Sequence, residues 1–446
     1  METSVESFCN LLVRSRLLTP SAIRTYLQRW KTEAGTAAGD VQRFAKWLVA
    51  NKAITEYQCG LLLRGKSDHF FLNDYKLLDR LGQGRMAGIY EAVHHLGQRV
   101  AIKVLPPSKA KDAECFARFQ REARLAVRLK HPNVVRTFQL GKCDPLYYIV
   151  MEYLDGDTLE EVLQRRGKLP PAEAARLIHQ ALLGLQHIHE QGMVHRDLKP
   201  ANLMLVPAPK KGQDTLQCTV KILDIGLGRA LFDEGDPEAP GGQDLTGTGQ
   251  MLGTPDYLAP EQARNAHLAD IRADIYSLGC TLYHCLAGRP PFPEVNAVVQ
   301  MMRHATEPAR PLKEFNPAVP DGLQQIVNVM MAKDPAQRYP TPEHAAQALH
   351  AFLAGEDSPG LDVEPALPAY LQWVDAHPEE GLPQVEVTPV AAASGNDVEL
   401  MRPAAVPVPL PAVPPSRQYL MIGIGLGIGV GAVALVGLVA WKLIGG

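Results

Sequence analysis

The stretch LGQGRMAGIYEA, residues 81 to 92, sets Gly82 and Gly84 where a backbone could turn tightly and approach phosphate oxygens. The spacing departs from a G-x-G-x-x-G loop: Ala87 stands at the third glycine position and Gly88 follows one place late. A dinucleotide-binding turn would need a helix to start at these glycines and an acidic residue about 20 positions later. The chain continues instead as GIYEAVHHLGQRVAIKVL, with β-favouring residues on both sides of a turn at Gly97, which predicts a hairpin. Lys103 then lies on the outgoing strand, and its ammonium can return to phosphates under the hairpin tip. The third loop position needs only a small side chain, so Ala87 leaves the loop working; Arg85 at the tip is read as an exposed arginine.

Other reactive side chains carry less. The seven cysteines, Cys9, Cys59, Cys115, Cys143, Cys218, Cys280 and Cys285, contain no C-x-x-C pair, which suggests neither a disulfide framework nor a zinc ribbon and fits a reducing cytosol. Cys280 and His284 share a helix face inside an apolar run and are read as core. His94 and His95 adjoin in a strand-like stretch, where neighbours point to opposite faces; they are read as solvated histidines, unable to chelate together.

The elements that must position the loop divide the 446 residues into four parts. Residues 1–68 read as a small helical module, with Thr19 (before Pro20), Asp40 and Thr55 as N-caps and Val41, Phe44, Trp47 and Leu48 at helical spacing. From about Asn73 short strands predominate, and after about Leu163 helices, such as ARLIHQALLGLQHIHEQG with its stripe Ile178, Ala181, Leu182, Leu185 and Ile188. A Pro/Ala-rich linker is expected over 354–418. Residues 419–441 carry no charge between Tyr419 and Trp441, and about 20 apolar residues span a bilayer, so a transmembrane helix is expected there. Only KLIGG is seen after it, so no sensing domain is expected beyond the span. Gly423, Gly427 and Gly431 recur on one helix face, with Gly425 and Gly429 on a second, and favour pairing with a second copy. The net charge of -3 gives no footprint for nucleic acid.

Between Tyr75 and Leu353 the ordered motifs VAIK (Lys103), CFARFQREARLAVRL (Glu122), YIVMEYL, VHRDLKPAN (Asp197, Lys199, Asn202), KILDIG (Asp224), GTPDYLAPE, DIYSLG (Asp274) and KDPAQRY (Arg338) resemble the eukaryotic-type (Hanks-type) protein kinases, nearest to bacterial membrane-anchored Ser/Thr kinases. The resemblance implies an α+β, bilobal protein kinase fold, with a β-rich N-lobe and a helical C-lobe over 75–353. It implies transfer of the ATP γ-phosphate to protein Ser/Thr hydroxyls, an activity of the EC 2.7.11.1 type, with Mg2+ or Mn2+. By that likeness Asp197 accepts the hydroxyl proton and Lys199 steadies the phosphoryl group. Lys103 holds the nucleotide phosphates and is itself fixed by Glu122; Asn202 and Asp224 hold the metal. The nucleotide is lined by Leu81, Gly82, Gln83, Gly84, Ile89, Ala101, Lys103, Met151, Glu152 and Leu154, with main-chain groups of Glu152 and Leu154 meeting adenine. Phosphoryl transfer depends mainly on positioning and neutralising charge, which is why these residue types are needed.

RDLKPAN and GTPDYLAPE mark Ser/Thr rather than tyrosine acceptors by the same likeness, with Thr254 bonded to Asp197 and Lys199. Glu261 and Arg338 are assigned to a structural ion pair and His195 to packing. Ile225 replaces the phenylalanine usual after the metal-binding aspartate and is expected to tune switching. Thr246 and Thr248, after the acidic, glycine-rich LFDEGDPEAPGGQD, are expected regulatory autophosphorylation sites read by Arg196. The expected partners are protein substrates, membrane lipid around the anchor and a second copy of the chain, with the catalytic lobe in the cytoplasm at the cytoplasmic membrane. The rival readings are a membrane-anchored pseudokinase, whose usual loss of a lysine, base or metal ligand is absent here, and a scaffold acting through residues 1–68.

Overall fold

The computed structural model describes residues 4–68, 70–83, 88–105, 107–111, 113–210, 212–224, 255–264 and 269–355. Gly84, Ala87, Ile225, Thr246, Thr248, Thr254, most of the expected linker and the expected span at 419–441 lie outside them. Among the described residues no helix is long and apolar enough to cross a membrane.

The N-terminal module is built from α1 (Val5–Arg14), α2 (Pro20–Ala34), α3 (Val41–Ala50) and α4 (Glu56–Leu63). Its helices start where short polar side chains satisfy the first free N–H groups: Thr19 accepts from Ala22, Asp40 from Gln42 and Arg43, and Thr55 from Gln58. Phe8, Leu12, Trp30, Phe44, Leu48 and Leu62 form its own core, which Phe70 of the following segment joins.

An antiparallel sheet of order β1-β2-β3-β4-β6-β5 follows. It comprises β1 (Phe71–Leu72), β2 (Tyr75–Gln83), β3 (Gly88–His94), β4 (Arg99–Leu105), β5 (Thr137–Cys143) and β6 (Leu146–Glu152). The sheet thus begins slightly earlier than the change of texture near Asn73 suggests. Gly97, at φ 89, takes the left-handed turn that joins β3 to β4, where a side chain would be strained. A short helix α5 (Pro107–Ala110) leads into α6 (Ala113–Arg128), whose Phe119 and Ala123 pack on Leu105, Leu140 and Ile149 of the sheet.

The helical lobe contains α7 (Leu159–Arg166), α8 (Pro171–Glu190), α9 (Pro260–Arg264), α10 (Ile271–Ala287), α11 (Ala297–Thr306), α12 (Asp321–Met330) and α13 (Pro342–Ala354), with a small sheet of β7 (Asp157–Thr158), β8 (Leu203–Val206) and β9 (Thr219–Ile222). The stripe of α8, from Ile178 to Ile188, is wholly buried, and Leu278, Leu282 and Leu286 of α10 are too. Each of these leucines and isoleucines contributes about 1.5–3 kcal/mol relative to exposure. The expected ion pair between Glu261 and Arg338 is present and bidentate, at 2.6 and 2.8 Å, with the guanidinium fully buried. An acidic residue sits among these apolar side chains: Asp274 lies in the first turn of α10 with no exposed surface.

Candidate active site

The roof of the site is the β2–β3 hairpin. Register places Ile89 opposite Lys103 and Ala101 opposite Met151. Directly paired residues, and residues two apart, share a sheet face. Ile89, Ala101, Lys103 and Met151 therefore form one surface. Leu81 falls in a β-bulge between Arg80 and Gly82, where the extra residue re-aims the strand toward the loop. Gln83 ends β2. At the far end of the sheet the Glu152 carboxylate is committed to scaffolding: it accepts from the Arg136 N–H at 2.7 Å and from Lys221 Nζ at 2.8 Å. Any contact of Glu152 with a ligand thus falls to its main chain, as the sequence reading has it. Leu154 follows, packed against the core of the helical lobe. Arg99 lies 4.1 Å from the Tyr153 ring and bonds Glu91 at 2.7 Å, so it ties the roof to this connecting segment. Its type and spacing gave no hint of that.

Lys103 is nearly buried and its ammonium donates to Asp224 Oδ1 at 2.7 Å. Although burial pushes the Asp224 carboxyl up, the Lys103 charge outweighs it and holds the group below the usual carboxylate range. Glu122 lies within α6, and its side chain is outside the described residues.

The floor is the loop after α8. Lys199 Nζ grips both Asp197 oxygens, at 3.0 and 2.8 Å. Asn202 Nδ2 donates to the Asp197 carbonyl at 2.6 Å and to its Oδ2 at 3.1 Å. Spacings of two and three residues, curled into a short 3-10 turn at Pro200–Asn202, bring the three side chains together. The neighbouring main chain is strained: Arg196 (φ 65) and Asp224 (φ 51) adopt left-handed conformations, unusual for residues with side chains.

What imposes that geometry is Asp274, which its motif brought to notice without a role. Its carboxylate accepts the consecutive N–H groups of His195 and Arg196 at 2.8 and 2.7 Å, and His189 Nε2 stands 2.9 Å away. Burial pushes this carboxyl up, but the His189 and His195 contacts prevail and hold it below the ordinary range. Gln262 closes the other side by donating to the Arg196 carbonyl at 3.1 Å. His195 is buried, its ring 2.8 Å from the Leu223 carbonyl and 3.4 Å from the Asp197 N–H. It links the floor loop to the segment bearing Asp224.

The donor set suits a hard divalent cation. Asp224 supplies carboxylate oxygen, and Asn202, whose amide nitrogen is spent on Asp197, retains its carbonyl oxygen. The arrangement offers one cation for phosphate, oxygen ligands for a metal, and a carboxylate at the mouth of the cleft whose side chain is partly exposed.

His94 is not solvated: it is fully buried, its ring centroid 4.9 Å from Tyr75 and 4.2 Å from His95. The two rings meet because β3 ends at His94, so the alternation of a strand does not extend to His95.

Residues 75–351 match the family model described as "Protein kinase domain". The chain is 38% identical over 270 residues to the serine/threonine-protein kinase PrkC of Bacillus subtilis, covering 60% of this chain and 39% of that protein. It is 37% identical over 272 residues to the serine/threonine-protein kinase PknB of Mycobacterium leprae, covering 60% and 41%. The chain thus spans about two fifths of the length of the curated relatives it matches.

Proposed function

Because the chain belongs to the protein kinase family, we propose that it transfers the γ-phosphoryl group of ATP to Ser and Thr hydroxyls of protein substrates. The observation that carries this reading is the assembly of Lys103, Asp197, Lys199, Asn202 and Asp224 in one cleft, bonded as above. Lys103 leaves Asp224 to neutralise phosphate oxygens. Asp197, oriented by Lys199 and Asn202, accepts the proton of the incoming hydroxyl, and Lys199 offsets charge on the moving group. A magnesium or manganese ion held by Asn202 and Asp224 supplies charge neutralisation at the phosphates when bound. The relatives' printed names, serine/threonine-protein kinase, support hydroxyl acceptors.

Autophosphorylation at Thr246 and Thr248 belongs to the same reading. A phosphothreonine adds about -1.5 to -2 charges, which Arg196 beside Asp197 can bind. Purified residues 1–415, incubated with labelled ATP and magnesium, should incorporate phosphate on Ser or Thr, with phosphopeptides at both threonines. Double alanine substitution should lower activity about tenfold, one lost charge-assisted contact being worth roughly 1.5 kcal/mol. Absence of label would reject the kinase reading; full activity with both sites empty would reject the switch alone.

We infer a membrane anchor at residues 419–441, joined by the 354–418 linker to a catalytic lobe held at the cytoplasmic membrane. Its support is the uncharged run and its glycine spacing. Ending the chain after residue 415 should move the protein from the membrane fraction to the soluble one. Leucine at Gly423, Gly427 and Gly431 should weaken self-association in a membrane dimerisation assay without preventing insertion. A truncated chain that still sediments with membranes would sink the anchor; unchanged pairing after the triple substitution would sink the glycine-face dimer.

A further inference from the structure

The helical module does not merely precede the sheet; α4 lies along the outer edge of β2, on the strand that carries the phosphate loop. β1 is only two residues long, so it pairs with Lys76 and Tyr75, and among the described residues the rest of that edge has no strand partner. At Leu77 and Leu78 the edge is also irregular, because a bulge falls between Leu77 and Asp79. The carbonyls exposed there are taken by α4 side chains: Gln58 Nε2 donates to Leu77 O at 2.6 Å, and Thr55 Oγ1 to Leu78 O at 2.5 Å. Gln58 is almost wholly buried, so neither it nor the Leu77 carbonyl has water as an alternative. Both side chains do two jobs, since they also form the reciprocal cap that starts α4. The strand cannot move here without disturbing the helix start.

A second contact reaches the other strand of the hairpin. The Tyr57 ring lies 5.9 Å from that of Tyr90, which stands on β3 next to Ile89. Burial, and after it Tyr90, pushes the Tyr57 phenol up to about 12, as befits a drying contact. The Tyr90 ring in turn covers Gly88. A Cβ at that position would stand 2.8 Å from Tyr90 Cε2 and 2.9 Å from its hydroxyl oxygen, closer than such atoms approach. This accounts for the late glycine: Gly88 makes room for the tyrosine that the module holds.

We propose that Thr55, the N-cap of α4, and Tyr57 and Gln58 within it are positioning residues for the phosphate hairpin, so that the N-terminal module sets the affinity of the site for ATP. The proposal rests on the ATP reading of the cleft. Its test uses the full chain: Thr55→Val, with Thr55→Ser as the conservative rescue, and Tyr57→Leu, which removes the ring that meets Tyr90. Nucleotide Kd, KM for ATP, kcat and melting temperature are measured for each. Loss of either contact should raise Kd and KM for ATP about threefold to tenfold and leave kcat within about twofold, with Thr55→Ser at the wild-type value. If Thr55→Val fails to fold, Tyr57→Leu decides. Unchanged Kd and KM in folded variants of an active wild type would overturn the positioning role and leave the ATP site standing. So would a fall in kcat that merely follows lost stability. A wild type that neither binds nor transfers from ATP would overturn the reading of the cleft, and this inference with it.

Discussion

Asp197→Asn should reduce phosphate incorporation by roughly 10³-fold, the middle of the range for a removed general base, while the Kd for magnesium ATP changes less than about threefold. The reason is the separation of tasks among elements. Of the groups facing phosphate and metal, Lys103 and Asp224 lie on β4 and just after β9 and bond each other, while Asn202 keeps its 2.6 Å bond to the Asp197 main-chain carbonyl, which the substitution leaves in place. Asp197 lies on the loop after α8 and bonds Lys199 and Asn202 instead. The substitution keeps the size of the side chain but removes an acceptor. Where Oδ2 now takes bonds from both Lys199 and Asn202, an amide nitrogen would face two donors, so Lys199 is loosened as well. Initial rates of label transfer and calorimetric nucleotide binding on matched preparations check both halves. Equal turnover in the two proteins would reject the role of Asp197. Parallel loss of binding would show that the residue supports the nucleotide site rather than the acceptor.

What could be read in the chain, and what could not, follows the range of the interactions. Thr19, Asp40 and Thr55 announce helix starts because a cap bonds backbone two or three residues away. Asp197, Lys199 and Asn202 are readable for the same reason. The hairpin is legible through Gly97, since a left-handed turn restricts the residue type. By contrast, Lys103 meets Asp224 across 121 residues, and only likeness to known kinases put them in one site. The edge contacts of α4 leave no mark at all: a carbonyl such as Leu77 O looks the same whatever the side chain, so nothing at position 77 signals the Gln58 bond. Periodicity fails in a different way at His94 and His95, where the strand ends between two adjacent residues. Buried Asp274 is the hardest case, because an acidic residue opening a helix reads equally well as a favourable exposed charge near the helix N-terminus.

That residue sets the second large effect. Asp274→Asn should lower kcat by roughly 10²-fold with little change in KM for ATP, a loss of the size that misplacing a reacting group produces. It should also lower the melting temperature by roughly 6–12 °C, since about 3 kcal/mol is lost when one partner of a buried charged hydrogen-bond set goes. The carboxylate offers two oxygens to two successive N–H groups, those of His195 and Arg196. Asparagine offers one oxygen and turns a donor toward the other N–H. Loss of the bond from the Arg196 N–H weakens the hold on its φ 65 turn, a conformation costing about 1–3 kcal/mol, and its relaxation rotates the next residue, Asp197, out of the cleft. Since His189 and His195 hold the Asp274 carboxyl below its ordinary value, the stability it contributes is present above the unfolded-state pKa near 3.9. It is lost as pH falls from there through the depressed folded value. The gap in stability between wild type and variant should therefore be constant at neutral pH and narrow only in acid below about pH 4. A variant of normal melting temperature and normal kcat would show that the Arg196 turn is held without Asp274. A fall in stability alone, with kcat unchanged at a temperature where both proteins are folded, would confine Asp274 to the core and leave the orientation of Asp197 to Lys199, Asn202 and Gln262.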